Sequence, residues 1–204
     1  VLPALDEMVD GRGGVRAHWR PLLGILGGMG EGVLADRARR LDRAFEDEGM
    51  AGVLPGATRD AIWRCDPLAM VLPAAEFAAL EAGMIQRARL LEAILADLYG
   101  PQTLLAEGLV PPELVFANPG FLRACYSLGA APPRPQLHLY AVDLVRGPDG
   151  AWRVLADRTT APAGPGMARE NRRLLSRVMP EAFRGVQVHS MRPFFDLWQD
   201  ALQR

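Results

Sequence analysis

An aspartate and an arginine on neighbouring strands are the side chains of this sequence best placed to do chemistry. Residues 136–173 read QLHLYAVDLVRGPDGAWRVLADRTTAPAGPGMARENRR. Two runs rich in Leu, Val and aromatic residues flank Gly147-Pro148-Asp149-Gly150, which predicts a β-hairpin. If those four residues form the loop, the pairing runs Arg146/Ala151, Val145/Trp152, Asp143/Val154, Ala141/Ala156 and Leu139/Arg158. Alternation then puts Asp143, Ala156 and Arg158 on one face with Leu137, Leu139, Val145 and Trp152. A carboxylate on an apolar face needs a partner, and Arg158 can reach it diagonally as a fixed counter-charge. Two other readings stay open: Asp157, on the opposite face, is recruited through a bulge, or Asp143 is a strand acid at an exposed edge.

A second candidate follows the hairpin. Ala161-Pro162-Ala163-Gly164-Pro165-Gly166 leads into a helix that carries Arg169, Arg172 and Arg173 and ends at Pro180. A glycine-bearing loop feeding a helix start presents free N–H groups, an arrangement that suits a phosphate or a carboxylate. Turn chemistry alone also explains such a loop.

The motifs Y-A-V-D-L-V-R, D-G-x-W-R-V-L-A-D-R-T, A-P-A-G-P-G and E-N-R-R-L-L-S-R-V-M-P-E stand in order along this stretch. With LDEMVDGRGGVRAHWRPLL near the start and GMIQRARLLEAILADLYGPQ in the middle, the sequence resembles the circularly permuted ATP-grasp family, relatives of glutathionylspermidine synthetase. The resemblance implies an α+β fold in which an antiparallel hairpin or sheet packs with helices. It implies ATP and Mg2+ as cofactors, a carboxylate and an amine as substrates, and activation of the carboxylate as an acyl phosphate that the amine then attacks. In that family an aspartate on the first hairpin strand and a Glu-x-Asn on the second hold the metal. Carried over, the aspartate is Asp143, but the other two positions are Ala156 and Arg158. Neither a methyl group nor a guanidinium supplies the hard oxygen that magnesium requires. The resemblance therefore gives Asp143 as the retained metal-type acid and Arg158 as its substitute counter-charge, with Gly164, Gly166, Asn171 and Arg172 as nucleotide-side candidates. It further implies that these 204 residues are the front part of a longer protein whose remaining ATP-grasp lobe is the partner, so the part alone is expected to be inactive. The competing expectation is a non-catalytic module that kept the scaffold and binds a partner.

Composition narrows the classes. Half the residues are hydrophobic and the net charge is −1, which suits a folded domain and disfavours a general nucleic-acid binder. All 23 basic side chains counted as Lys or Arg are arginine, so no lysine is present to grip a phosphate. No apolar run approaches membrane-spanning length and no leader pattern is visible, which predicts a cytoplasmic protein with no membrane partner. Cys65 and Cys125 lack CxxC spacing and read as reduced core or boundary thiols. His18, His138 and His189 show no metal-ligand spacing. The first residue is Val1 rather than Met, as expected for part of a longer chain.

The elements that must position the candidates follow from periodicity. Residues 5–19 read as a loop leading to Trp19, an expected packing anchor. Gly27-Gly28-Met29-Gly30 lacks the ending of a phosphate loop and reads as a turn. Glu31 to Gly49 is an amphipathic helix with Val33, Leu34, Ala38, Leu41 and Phe45 on its apolar face. Residues 50–66 form a loop or short strand with Trp63 buried. A long helix runs from Pro73 towards Gly100 with Phe77, Leu80, Met84, Leu91, Leu95 and Leu98 as its stripe. On it, Gln86 and Arg89 are either surface pairs or substrate contacts. Residues 101–135 are a connector with helical turns near Leu104 and Phe121, packed through Val115, Phe116, Phe121 and Tyr126. Val186-Gln187-Val188 reads as a short strand, followed by an amphipathic helix from Arg192. The expected organisation is a mainly helical region 1–135 and a hairpin-plus-helix region 136–204, together one compact unit.

Overall fold

The computed structural model describes residues 6–49, 65–127, 135–160 and 162–203. The expected loop or strand at 50–64, the burial of Trp63 and the proline-rich 131–134 lie outside them. Among the described residues are eight α-helices and one two-stranded antiparallel sheet, an α+β arrangement. Contacts group the chain into two units, 1–73 with 163–194 and 74–162 with 195–204. This grouping cuts across the boundary at 135/136: the hairpin goes with the long helix before it, and the helix after the Gly/Pro loop goes with the N-terminal helices.

The first unit is built on α1 (Arg20–Met29), α2 (Glu31–Asp47), α6 (Pro165–Val178) and α7 (Pro180–Val186). Ahead of α1, the Asp10 carboxylate accepts the N–H groups of Arg12 and Gly14, both at 2.9 Å, and closes a turn between bridged Val9 and Val15. A helix, not a turn, contains Gly27 and Gly28. Pro21 in its first turn and the apolar Leu22, Ile25 and Leu26 carry it, and it stops at Gly30. Helix α2 follows the predicted amphipathic pattern, with Leu41 and Phe45 fully buried.

These helices close on one core of Trp19, Leu22, Leu41, Phe45, Cys65, Leu174, Leu175, Met179 and Ala182. Trp19 is the anchor its sequence context suggested, although its indole N–H is buried without a partner among the described residues. At Gly185 a side chain would put its Cβ 2.4 Å from Ile25 Cδ1, so α1 and α7 approach closely there. Arg37 of α2 donates two hydrogen bonds to Glu181 of α7, at 2.6 and 3.0 Å, and holds that carboxyl at about 2, well below its usual range. Arg173 and Arg177 of α6 face Glu48 just past the end of α2, at 2.6 and 3.7 Å. These cations offset an acid placed at the negative end of a helix. Val186 ends α7 instead of starting a strand, and Gln187 turns the chain with φ 51°. Helix α7 wins because Pro180 starts it and Ala182 packs into the core.

The second unit contains α3 (Ala74–Leu98), α4 (Thr103–Ala106), α5 (Pro112–Phe116), β1 (Ala141–Arg146) and β2 (Trp152–Arg158). Asp97 near the end of α3 accepts the N–H groups of Thr103 and Leu104, which starts α4. Tyr99 stacks on Phe121 with ring centroids 5.0 Å apart, and Ser127 donates its hydroxyl to the Tyr99 carbonyl. A 3-10 turn at Arg123–Cys125 replaces the helical turn expected at Phe121. The stripe foreseen on α3 is not buried: none of its residues is, and Phe77 is 45% exposed. Helix α8 (Arg192–Gln203) has the predicted amphipathic pattern, with Phe195 and Trp198 in ring contact on its apolar side.

Candidate functional site

The hairpin owes its register to one glycine and one bulge. Gly147 N–H bonds the Ala151 carbonyl at 2.9 Å, so the loop is Pro148-Asp149-Gly150, with Gly150 at φ 78°. A three-residue loop with a left-handed final residue is a favoured hairpin connection, and a side chain there would be strained. Arg146 therefore faces Trp152 instead of Ala151. A second shift lies between Asp143 and Leu144, where β2 carries the extra residue Leu155. Beyond it Asp143 faces Ala156 and Ala141 faces Arg158, which corrects the pairing drawn from a four-residue loop. Trp152 moves to the face opposite Asp143.

That opposite face is fastened to α3. Glu76 accepts the Trp152 indole N–H at 2.5 Å and pairs with Arg146 at 2.5 Å, while Arg146 lies 4.3 Å over the Trp152 ring. Arg87 donates two bonds to Asp157, at 3.0 and 2.5 Å, and the Tyr140 hydroxyl donates a third at 2.6 Å. Glu92 accepts the backbone N–H groups of Gln136 and Leu137. The spacing explains why these attachments coincide. Eleven helical residues from Glu76 to Arg87 rise about 16 Å and return to nearly the same face. Five strand residues from Trp152 to Asp157 cover about the same length. Arg87 and then Tyr140 hold the Asp157 carboxyl below its usual value, and burial, reinforced by Asp157, pushes the Tyr140 phenol up. Asp157 is thus committed to α3 and is not recruited to the side of Asp143.

Asp143 and Arg158 meet on the free face. Arg158 Nε and Nη2 both donate to Asp143 Oδ2, at 2.9 and 2.6 Å. This is the diagonal pair expected from the sequence, but its surroundings differ from the expected apolar ones: the side chains are 61% and 46% exposed. Around Asp143 the residues do not fit magnesium. Ala156 stands directly across, Arg158 occupies one carboxylate oxygen, and no cluster of three His, Cys, Asp or Glu able to hold a metal exists among the described residues.

The second candidate group belongs to the first unit. Gly164 precedes α6 with φ 114° and no side chain caps the helix; Gly166 lies in its first turn. Arg172 is two turns further on, about 12 Å of rise from Gly164. Its guanidinium donates to the His189 carbonyl, and burial draws its pKa down. The structure therefore does not gather Gly164, Gly166 and Arg172 at one point; Asn171 sits beside Arg172 on α6. Gln86 and Arg89 are exposed on α3. Cys65 is buried and its thiol is pushed up to about 11 by that burial, which makes it inert; Cys125 is free and exposed. No helix among the described residues is long and apolar enough to cross a membrane.

A strand acid paired across a hairpin, joined to helices in an α+β arrangement, is the setting in which an ATP-grasp comparison has meaning. The family model "Circularly permuted ATP-grasp type 2" matches residues 69–204. The chain belongs to that family. It is 42% identical over 200 residues to an uncharacterised protein of Mycobacterium tuberculosis, covering 93% of this chain and 22% of that protein. An uncharacterised protein of Mycobacterium leprae is 35% identical over 189 residues, 92% of this chain and 33% of its own length. A Frankia casuarinae protein named "Putative glutamate--cysteine ligase 2-2" is 34% identical over 176 residues, 86% of this chain and 20% of its own. The chain thus spans between a fifth and a third of the length of these curated relatives.

Proposed function

We propose that this chain is the front segment of an ATP-dependent carboxylate–amine ligase, whose nucleotide grip and any metal ligands lie largely in a remaining ATP-grasp lobe of a longer polypeptide. The observation that carries the proposal is the family match over residues 69–204, together with the ligase name of the Frankia casuarinae relative. In this reading ATP activates a small-molecule carboxylate and an amine displaces the phosphate, with fixed positive groups neutralising the developing charge. Asp143 and Arg158 act as a pre-paired acid and cation on the free face of the hairpin. The N–H groups at the α6 start, by Gly164 and Gly166, offer a separate place for an anion, with Asn171 and Arg172 two turns further along the helix and not at the same point. Such chemistry fits a cytoplasmic location, where ATP is available.

The exposed ion pair in place of a three-ligand metal site favours a second reading, a non-catalytic module that keeps the scaffold and binds a partner. The two readings separate on one substitution. In the longest natural polypeptide containing these residues, ADP release that depends on both a carboxylate and an amine is measured before and after Asp143→Asn. A ligase that uses Asp143 loses on the order of 100-fold in kcat/KM, as for removal of a charge-positioning group. Unchanged turnover excludes a catalytic role for Asp143, and no turnover with any carboxylate and amine favours the module.

A further inference from the structure

The two units differ in what they bury. Nine of the ten buried hydrophobic residues lie in the first unit; in the second, Val115 is the one buried hydrophobic residue among those described. Yet the second unit holds α3, a helix of 25 residues of which none is buried, although its apolar stripe includes Phe77, Leu80, Met84, Leu91 and Leu95. With about 100° per residue, Leu80 lies some 40° from Glu76, Phe77 about 100° and Ile85 about 180°. The hairpin covers the Glu76 side, leaving Phe77 and Ile85 on the far side, each 45% exposed. Leu155, the bulge residue of β2, is 69% exposed. A layer must bury its apolar residues against another, and those of α3 stay exposed or half-buried.

We infer that the side of α3 bearing Phe77 and Ile85 is the seat of further polypeptide from the same longer protein, which completes the core of the second unit with an apolar surface of its own. The inference rests on reading the chain as one part of a longer ligase. The length of the relatives argues for this occupant over a second copy: between two thirds and four fifths of each relative's length lies outside the matched part. The polarity of the side also argues for protein over a lipid surface. Glu81 and Arg89 lie between and beside the apolar residues, and the helix lacks the basic polar face that membrane-surface helices carry.

Hydrogen exchange tests the inference, comparing this chain with the longest natural polypeptide that contains it. Amides of α2 and α6 around Leu41, Phe45 and Leu174 exchange slowly in both, because their core is complete. Amides of α3 around Ile85 exchange fast in the 204-residue chain and at least about tenfold slower in the longer form. Ile85→Glu in the longer form abolishes that slowing and leaves α2 and α6 unchanged. Equal exchange of α3 in both forms overturns the inference, as does a natural form no longer than this chain. Protection of α3 that rises with concentration, with dimers in sedimentation velocity, assigns the surface to a second copy instead. The ligase reading fails independently: α3 protected in a longer form that binds no ATP refutes that reading and leaves the docking surface standing.

Discussion

The hairpin allows the metal-ligand pattern implied by the family resemblance to be built on this chain. The double substitution Ala156→Glu, Arg158→Asn places a carboxylate directly opposite Asp143 and an amide oxygen diagonal to it, the pattern expected from the family resemblance. Directly opposed residues have Cβ atoms about 5 Å apart and diagonal ones about 7–8 Å, both within bridging distance of one ion for these side chains. Removing Arg158 breaks an exposed pair, so the cost to stability stays below about 1 kcal/mol and the hairpin survives. Magnesium takes octahedral oxygen ligands and keeps waters, so two carboxylates and an amide on an open face should bind it weakly, with Kd on the order of 10⁻³ M. The assay is displacement of Mn2+ by Mg2+ followed by electron paramagnetic resonance, in the native chain and the double variant. Millimolar binding in the variant with none in the native chain is expected. Equal binding in both would falsify the claim that Ala156 and Arg158 are what deny Asp143 a metal.

Three further outcomes follow from the packing and the charges. Leu41→Ala, at a fully buried position, costs about 2–5 kcal/mol in denaturant unfolding, whereas Leu90→Ala, 61% exposed on α3, stays within about 0.5 kcal/mol. Equal losses would contradict the contrast between the two units. Glu181 is held at about 2 against an ordinary 4.5, so its contribution is complete above pH 4.5 and disappears as pH falls through 2. Thermal melts of Glu181→Gln should therefore lie below those of the native chain near pH 6 and converge with them towards pH 2; a pH-independent gap counts against the Arg37 pairing. Gly150→Val puts a β-branched residue at φ 78°, costs about 1–2 kcal/mol of hairpin stability, and should shift Trp152 fluorescence as the indole leaves Glu76. An unchanged spectrum and stability would mean the loop adopts another conformation.

Much of the hairpin was legible because its signals are local: two apolar runs, a Pro-Asp-Gly turn and an aspartate two residues from a valine on the same face. Its register was not, since that depends on whether Gly150 takes a left-handed conformation and on a bulge at Leu155. The pair between Asp143 and Arg158 forms because the observed register sets Arg158 two residues beyond the one opposite Asp143; in the register drawn from the sequence it stands four residues beyond, about 13 Å along the strand and out of reach. Helix α1 was hidden by Gly27 and Gly28, although Pro21 and the spacing of Leu22, Ile25 and Leu26 announced it. The cluster of Arg87, Asp157 and Tyr140 was missed because its members lie up to 70 residues apart. One signal was present: Glu76 and Arg87, eleven residues apart, are charged groups on a single face of α3 that interrupt its apolar stripe.

The most direct test of the central claim is calorimetric titration of ATP, with magnesium and then with chelator, into this chain and into the longest natural polypeptide containing it. A ligase segment whose nucleotide grip lies elsewhere predicts magnesium-dependent binding to the longer form and none to the 204-residue chain. No binding to either form would contradict it and leave a scaffold whose Asp143 and Arg158 pair is the remnant of a lost site.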